Sequence, residues 1–156
     1  RKESSAASDV YKRQPQDSAI RCINKLIQSD TYATLDVICI NRSSGMAYIS
    51  KSAACPTFLL RDEHLHEING NALPVGIISA IEPDCFEVAL QEGDEFLMIS
   101  DGITRSEVSA WLSQRKKEDL KEDVAAFSDT LSRQRRKDDS TLIAIKVCKA
   151  NAQIGA

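Results

Sequence analysis

The sequence changes its hydrophobic period several times, and the order of these patterns limits the fold more than any other feature. Apolar residues first recur at helical spacing, at Ile20, Ile23 and Ile27. From residue 34 to residue 100 they fall in short runs rich in β-branched residues, with turn clusters between them. Two more helical patterns and one last strand-like run follow. This order predicts an α+β fold with a large antiparallel sheet component.

The strand-like runs are short and separated by turn residues. They are residues 34–40, 46–51, 56–60, 64–68, 85–90, 95–100 and 141–147. The cluster NRSSG at residues 41–45 predicts a hairpin between the first two runs. The cluster QEGD at residues 91–94 predicts a second hairpin, between the runs 85–90 and 95–100.

The three helical patterns have different start signals. Ser18 is the expected N-cap of the first helix, which should end near residue 30. Ser106 is the expected N-cap of a short second helix. The third helix carries apolar residues on one face, at Leu120, Val124, Phe127 and Leu131.

The length of 156 residues fits a single domain, with ends that differ from the rest. Residues 1–14 are polar and aperiodic, and their stretch AASDVYKRQ resembles translated sequencing adapter. We therefore expect a non-native or disordered leader at 1–14, one folded domain at 15–149 and a disordered tail at 150–156.

Composition excludes several classes of protein. The net charge of −3 and the aromatic content of 5% argue against a nucleic-acid partner. The chain has neither an apolar run that could span a bilayer nor a signal-peptide core, so a cytoplasmic setting is expected. Its five cysteines contain no CxxC pair, which disfavours a structural zinc site. Three of them, Cys39, Cys85 and Cys148, are expected to be buried free thiols.

Two acidic positions stand at the ends of predicted strands. Asp101 follows the run 95–100 and precedes Gly102, and Asp138 and Asp139 precede the last strand. Carboxylates without thiol or imidazole partners favour hard cations such as Mg²⁺ or Mn²⁺. The alternative is that each is an ordinary turn or loop residue.

Several motifs together resemble a known family. In chain order they are 33–36 (ATLD), 56–59 (PTFL), 73–77 (LPVGI), 93–94 (GD), 96–103 (FLMISDGI) and 138–142 (DDSTL). Their order and spacing resemble the C-terminal part of a type 2C (PPM) protein serine/threonine phosphatase domain, most closely that of the stage II sporulation protein E family. The resemblance covers nearly all of the chain after residue 16 if the first helix is included, and it implies that residues 15–149 form a partial PPM-type phosphatase domain.

The resemblance implies a fold, a metal centre and a reaction. The fold is an antiparallel β-sandwich flanked by helices. Asp101 and Asp138 correspond to ligands of a dinuclear Mn²⁺ or Mg²⁺ centre, Gly102 lets the backbone pass close to it, and Asp139 is a neighbour. The family dephosphorylates phosphoserine or phosphothreonine on anti-sigma-factor antagonist proteins, by direct attack of a metal-bridging water. Some parent proteins of this kind are attached to the inner membrane.

One family motif is absent from the printed sequence. The Asp-Gly-Met-Gly-like turn, which supplies the aspartate shared by both metals, does not occur. We therefore expect a domain truncated in its N-terminal half, with little or no activity of its own and an uncovered sheet edge near 34–40 or 141–147. The alternative is a non-catalytic phosphatase-like module that binds a protein.

The sequence leaves two interpretations open for several other residues. His64 and His66 share one strand face, as a metal pair or, more simply, as solvated histidines. Cys55 is a nucleophile or, more simply, a small packed residue. Trp111 is a ligand contact or, more simply, a core or interface residue. The basic residues Arg133, Arg135, Arg136 and Lys137 either steer an anionic phosphoprotein or complement a helix dipole.

Overall fold

A computed structural model describes residues 15–27, 31–115, 119–136 and 138–149. The predicted leader 1–14 and tail 150–156 lie outside the described residues, and their assignment stays a prediction. Of the helices described, none is both long enough and apolar enough to cross a membrane.

The elements follow the order predicted from the sequence. The first helix is α1 (Pro15–Leu26), and the last three elements are α2 (Arg105–Gln114), α3 (Leu120–Ser132) and β7 (Leu142–Lys146). Between them lie the strands β1 (Leu35–Asn41), β2 (Met46–Ser52), β3 (Thr57–Arg61), β4 (His64–Ile68), β5 (Asp84–Ala89) and β6 (Glu95–Ile99). All strand pairs are antiparallel, so the predicted α+β class with antiparallel sheets is confirmed.

The chain divides into two compact units. The first contains the described residues of 1–54 and 69–90, and its sheet has the order β1-β2-β5. The hairpin predicted at residues 41–45 joins β1 to β2, and the side chain of Asn41 accepts hydrogen bonds from the backbone of Ser43 and Ser44. The buried face of α1 contributes Ile20, which packs with Val75 and Ile81.

The second unit contains residues 55–68 and the described residues from 91 onward, and its sheet has the order β4-β3-β6-β7. Its core joins sheet residues to both C-terminal helices; the fully buried members are Phe58, Leu97 and Val108. Trp111 of α2 stacks on Phe127 of α3 with ring centroids 4.7 Å apart. The expectation that Trp111 is a core residue is confirmed, and burial of two aromatic rings fixes the pairing of these helices.

The second predicted hairpin is wrong. β5 pairs with β2 in the first sheet, whereas β6 pairs with β3 and β7 in the second. The turn signal at residues 91–94 is real, since Gly93 has a φ of +90° and the backbone N–H of Asp94 bonds to Gln91. A local turn does not determine which strand pairs with which, because pairing depends on burial of side chains distant in sequence.

Smaller corrections concern helix ends and cysteines. α1 begins at Pro15, so Ser18 lies inside it, and the N-cap of α2 is Thr104 rather than Ser106. Cys85 and Cys148 are exposed and Cys39 is half-buried, so the expectation of buried thiols is wrong for the first two. None of the five cysteines forms a disulfide.

Both strands expected near an uncovered edge are edge strands. Among the described residues β1 pairs only with β2, and β7 pairs only with β6. On β7 the side chain of Ile143 is 50% exposed. An edge strand is the position at which a further strand can be added to a sheet.

A buried ion pair fixes the turn that precedes β6 in the second unit. Asp94 is 1% exposed and accepts hydrogen bonds from Nε and Nη2 of Arg61, at 2.8 and 2.7 Å, and from the backbone of Gln91. Burial by itself raises the pKa of Asp94, but Arg61 and the Gln91 N–H outweigh it and hold the pKa below its ordinary value.

Asp94→Asn should therefore change how stability depends on pH. A lowered carboxyl pKa stabilises the fold above the unfolded value of about 3.9, and this stabilisation is lost as pH falls through the folded pKa. We expect the variant to lose about 2 kcal/mol of unfolding free energy at pH 7 and to lose less than the parent chain on acidification. Urea unfolding between pH 3 and pH 7 measures both, with the exposed Asp129→Asn as control. Parallel pH profiles for the parent and Asp94→Asn would contradict the assignment.

Candidate metal site at the ends of strands β6 and β7

The register of β6 and β7 brings the predicted site residues to one edge of the second sheet. Ile99, the last residue of β6, lies opposite Leu142, the first residue of β7. One residue further out, the N–H of Ser100 donates to the carbonyl of Thr141 at 3.0 Å. Residues 101–102 and 138–140 follow on these two chain segments, so antiparallel pairing places them side by side.

Gly102 makes the closest approach between the two segments. A Cβ atom built at this position would collide with the carbonyl oxygen of Asp139 and would lie 2.8 Å from Oγ of Ser140. Only glycine lets the backbone pass at this distance. The expectation that the chain passes closely at Gly102 agrees with this geometry, and the contact is with the segment that carries the second acidic position.

Hydroxyl groups tie the two segments together. Oγ of Ser100 accepts from the backbone N–H of Thr141 at 2.9 Å, and its hydroxyl donates to the carbonyl of Asp139 at 3.4 Å. The hydroxyl of Ser140 donates to the carbonyl of Gly102 at 3.0 Å. These bonds fix the backbone on both sides of the acidic residues.

Asp101 and Asp138 border the same shallow pocket of about 270 Å³. Both side chains are exposed. Among the described residues no group donates to the Asp101 carboxylate, and Asp138 accepts only through Oδ1, from the backbone N–H of Asp139 at 2.8 Å. Oxygen atoms on two carboxylates are thus available at one place. Asp139 does not border this pocket.

Two other motif aspartates are committed to ion pairs. Asp94 is held by Arg61, as described above. Asp36 lies opposite Lys51 in the β1–β2 register and pairs with its ammonium group at 2.6 Å, with the lysine side chain fully buried. A carboxylate that neutralises a buried cation is not free to bind a metal. Only Asp101 and Asp138, among these four, remain available.

The donor set fits a hard divalent cation in part. Carboxylate oxygens are suitable ligands for Mn²⁺ or Mg²⁺, which take six ligands and retain waters. In the described part of the chain no group of three or more histidine, cysteine or acidic side chains lies close enough to hold a metal. Asp101 and Asp138 would therefore hold an ion together with water or with groups from outside the described residues.

The sequence gives no signal for Glu107 at this pocket, and it indicates Arg136 only as one member of the basic run before Asp138. Glu107 and Arg136 border the pocket and form an ion pair at 2.8 Å. Burial alone raises the pKa of Glu107, but hydrogen bonds from Thr104 and the charge of Arg136 outweigh it and lower the pKa. The spacing of Thr104 and Glu107 is that of a capping box, which is readable from the sequence. The pairing with Arg136 is not, because the two residues lie on different elements.

Apart from Arg135, the remaining candidates among the described residues do not border this pocket. His64 and His66 are exposed on β4, and neither belongs to a metal-binding group among the described residues. Cys55 is half-buried. Arg133 is the C-cap of α3, and Arg135 is exposed beside the pocket. Lys137 lies outside the described residues.

Residues 8–148 match the family model described as Stage II sporulation protein E (SpoIIE). The chain belongs to this family. It is 24% identical over 145 residues to stage II sporulation protein E of Bacillus subtilis (strain 168), an alignment that covers 83% of this chain and 18% of that protein. The chain thus spans less than a fifth of that curated relative.

Two solved structures show the same fold. The manganese-presoaked phosphatase domain of SpoIIE from Bacillus subtilis superposes with a TM-score of 0.63 at 20% identity, covering 95% of this chain and 74% of that one. The catalytic domain of the serine/threonine protein phosphatase PstP, in complex with two manganese ions, gives a TM-score of 0.71 at 16% identity, covering 93% and 78%. The chain thus belongs to the SpoIIE family and has the fold of PP2C-type phosphatase domains.

Gly102→Ala tests the close approach at the site. The added methyl group would push residues 138–140 away from β6, and we expect a loss of about 2–3 kcal/mol of unfolding free energy. Gly93→Ala is the control in the same unit, because its Cβ meets open space and only the strain of a positive φ, about 1 kcal/mol, is added. Chemical denaturation measures both. A loss at Gly102→Ala no larger than that at Gly93→Ala would contradict the close approach.

Proposed function

We propose that this chain is part of a metal-dependent protein serine/threonine phosphatase, with Asp101 and Asp138 as metal ligands. The observation that carries the proposal is the convergence of these two uncommitted carboxylates on one pocket, at the ends of paired strands. Membership of the SpoIIE family supports it.

Each residue of the site has a distinct part in the proposed reaction. Asp101 and Asp138 bind Mn²⁺ or Mg²⁺, two ions in the intact domain, and Gly102 lets their chain segments come together. The bound cations supply Lewis-acid activation of water and neutralisation of charge on the phosphoryl group. Asp139 orients Asp138, since its backbone N–H donates to Oδ1 and leaves Oδ2 for a ligand.

The proposed substrate is phosphoserine or phosphothreonine on an anti-sigma-factor antagonist-like protein. Arg133 and Arg135 are exposed on the segment that leads to Asp138, and Arg135 borders the same pocket. Two cations beside a site for a phosphorylated protein increase the rate of encounter with it. Arg136 is not part of this steering surface, because Glu107 neutralises it.

The small number of carboxylates at the site should limit the activity of the chain. A PP2C-type centre needs more carboxylates than the two that the described residues bring together. We therefore expect the isolated chain to bind a cation weakly and to show little or no turnover. The same observation favours the second candidate function, a phosphatase-like module that binds a phosphoprotein without hydrolysing it.

Cation binding tests the assignment of the ligands. Asp101→Asn and Asp138→Asn each keep the side-chain shape and remove a negative charge, so each should weaken Mn²⁺ binding by about tenfold or more. Isothermal titration calorimetry or the electron paramagnetic resonance signal of free Mn²⁺ measures the affinity. Asp139→Asn is the matched control and should change affinity by less than about threefold. Equal effects at Asp138 and Asp139 would contradict the assignment.

Turnover separates the two candidate functions. We expect the 156-residue chain to hydrolyse para-nitrophenyl phosphate with Mn²⁺ no faster than Asp101→Asn does. Robust Mn²⁺-dependent hydrolysis that Asp101→Asn abolishes would overturn the expected inactivity and would exclude the non-catalytic module. Binding of a phosphoserine protein by this chain, with no hydrolysis in the presence of Mn²⁺, would favour the module.

A further inference from the structure

We propose that Arg136 is a positioning residue that holds the segment carrying Asp138 against the turn carrying Asp101. This inference rests on the proposed metal site and adds to it a residue that binds neither metal nor substrate. Arg136 borders the pocket together with both aspartates, but its guanidinium group points to other partners.

The guanidinium group makes three hydrogen bonds to two elements. Nη1 and Nη2 donate to Oε1 of Glu107 in α2, at 3.0 and 2.8 Å. Nε donates to Oγ of Ser140, at 2.9 Å, on the segment that carries Asp138. The side chain is 16% exposed, so this ion pair is largely shielded from water and stronger than a surface pair.

Both partners are themselves fixed to the turn that follows β6. The hydroxyl of Ser140 donates to the carbonyl of Gly102. Glu107 accepts from the backbone N–H and the hydroxyl of Thr104, each at 2.8 Å. Arg136 therefore completes a ring of hydrogen bonds that runs from Thr104 through Glu107 to Arg136, and from there through Ser140 to Gly102. The ring joins the turn that carries Asp101 to the segment that carries Asp138.

These three hydrogen bonds depend on the planar guanidinium group of arginine. A lysine at the same position has one nitrogen and cannot donate to Glu107 and Ser140 with the same geometry. Arg136→Lys therefore keeps the charge and breaks the ring. Arg133→Lys is the matched control, since Arg133 is exposed and lies on the same segment.

Removal of Arg136 should change cation affinity in opposite directions through its charge and through its positioning of Asp138. Arg136 and Arg135 both border the pocket, so removing either takes a positive charge away from a cation site and should tighten cation binding. If Arg136 positions Asp138, its removal should weaken binding instead. Loss of a residue that orients a metal ligand typically costs about tenfold or more in affinity.

Amide hydrogen exchange tests the positioning without any metal. In Arg136→Lys we expect the Thr141 amide, which donates to Ser100, to exchange about tenfold faster than in the parent chain. The amide of Leu97 in β6, and every amide in Arg133→Lys, should exchange at the parent rate. An unchanged rate at Thr141, or equal acceleration at Leu97 from global unfolding, would overturn the proposal.

Mn²⁺ titration tests whether the positioning matters for the site. We expect Arg136→Ala to bind Mn²⁺ about tenfold more weakly than the parent chain and Arg135→Ala to bind it equally or more tightly. Affinity in Arg136→Ala that equals or exceeds that of Arg135→Ala would overturn the link to the metal.

The two experiments separate the failure of this inference from that of the proposed function. If Asp101→Asn leaves Mn²⁺ binding unchanged, the metal site is wrong and the role of Arg136 toward a metal falls with it. The exchange rate at Thr141 still decides whether Arg136 holds the segment. If Asp101→Asn abolishes binding and Arg136→Ala does not weaken it, only the inference about Arg136 fails.

Discussion

The antiparallel pairing of β6 with β7 is the constraint on which the site depends. These strands are joined through α2 and α3, so residues 101 and 138 are distant in the chain. The register of Ile99 with Leu142 sets which residues lie side by side beyond the strand ends. A shift of one residue would move Asp138 away from the turn at Gly102 and would also turn the apolar side chains of β7 to the other face. Burial of the sheet therefore specifies the site.

The aspartates of the motifs divide into two groups by their surroundings. Asp36 and Asp94 neutralise cations that the fold buries or partly buries, and these pairs stabilise the units in which they lie. Asp101 and Asp138 are exposed and have no cation partner among the described residues. A divalent cation bound by both carboxylates would neutralise their charge. This contrast is the physical basis of the proposed ligand assignment.

The sequence predicts most helices and strands correctly, but it does not predict strand pairing between segments that are not adjacent in the chain. The hairpin at residues 41–45 was predicted correctly, because its strands are adjacent and its turn residues are typical. The hairpin at residues 91–94 was wrong, because β5 pairs with β2 and β6 with β3. Helix starts were misplaced by a few residues at Ser18 and Ser106. Strand identity is a local property, whereas strand pairing depends on burial over the whole unit.

The residues alone are enough to predict the family, the order of elements and the acidic residues at the strand ends. Each of these predictions follows from a local feature of the sequence: the hydrophobic period, the turn residues or the spacing of motifs. Three features are visible only in the three-dimensional structure. They are the ion pairs that some of the aspartates form, the close approach of Gly102 to Asp139, and the hydrogen bonds by which Arg136 joins Glu107 to Ser140. These facts depend on distances between elements far apart in the chain. Such distances are set by packing and register, which no local stretch of sequence specifies.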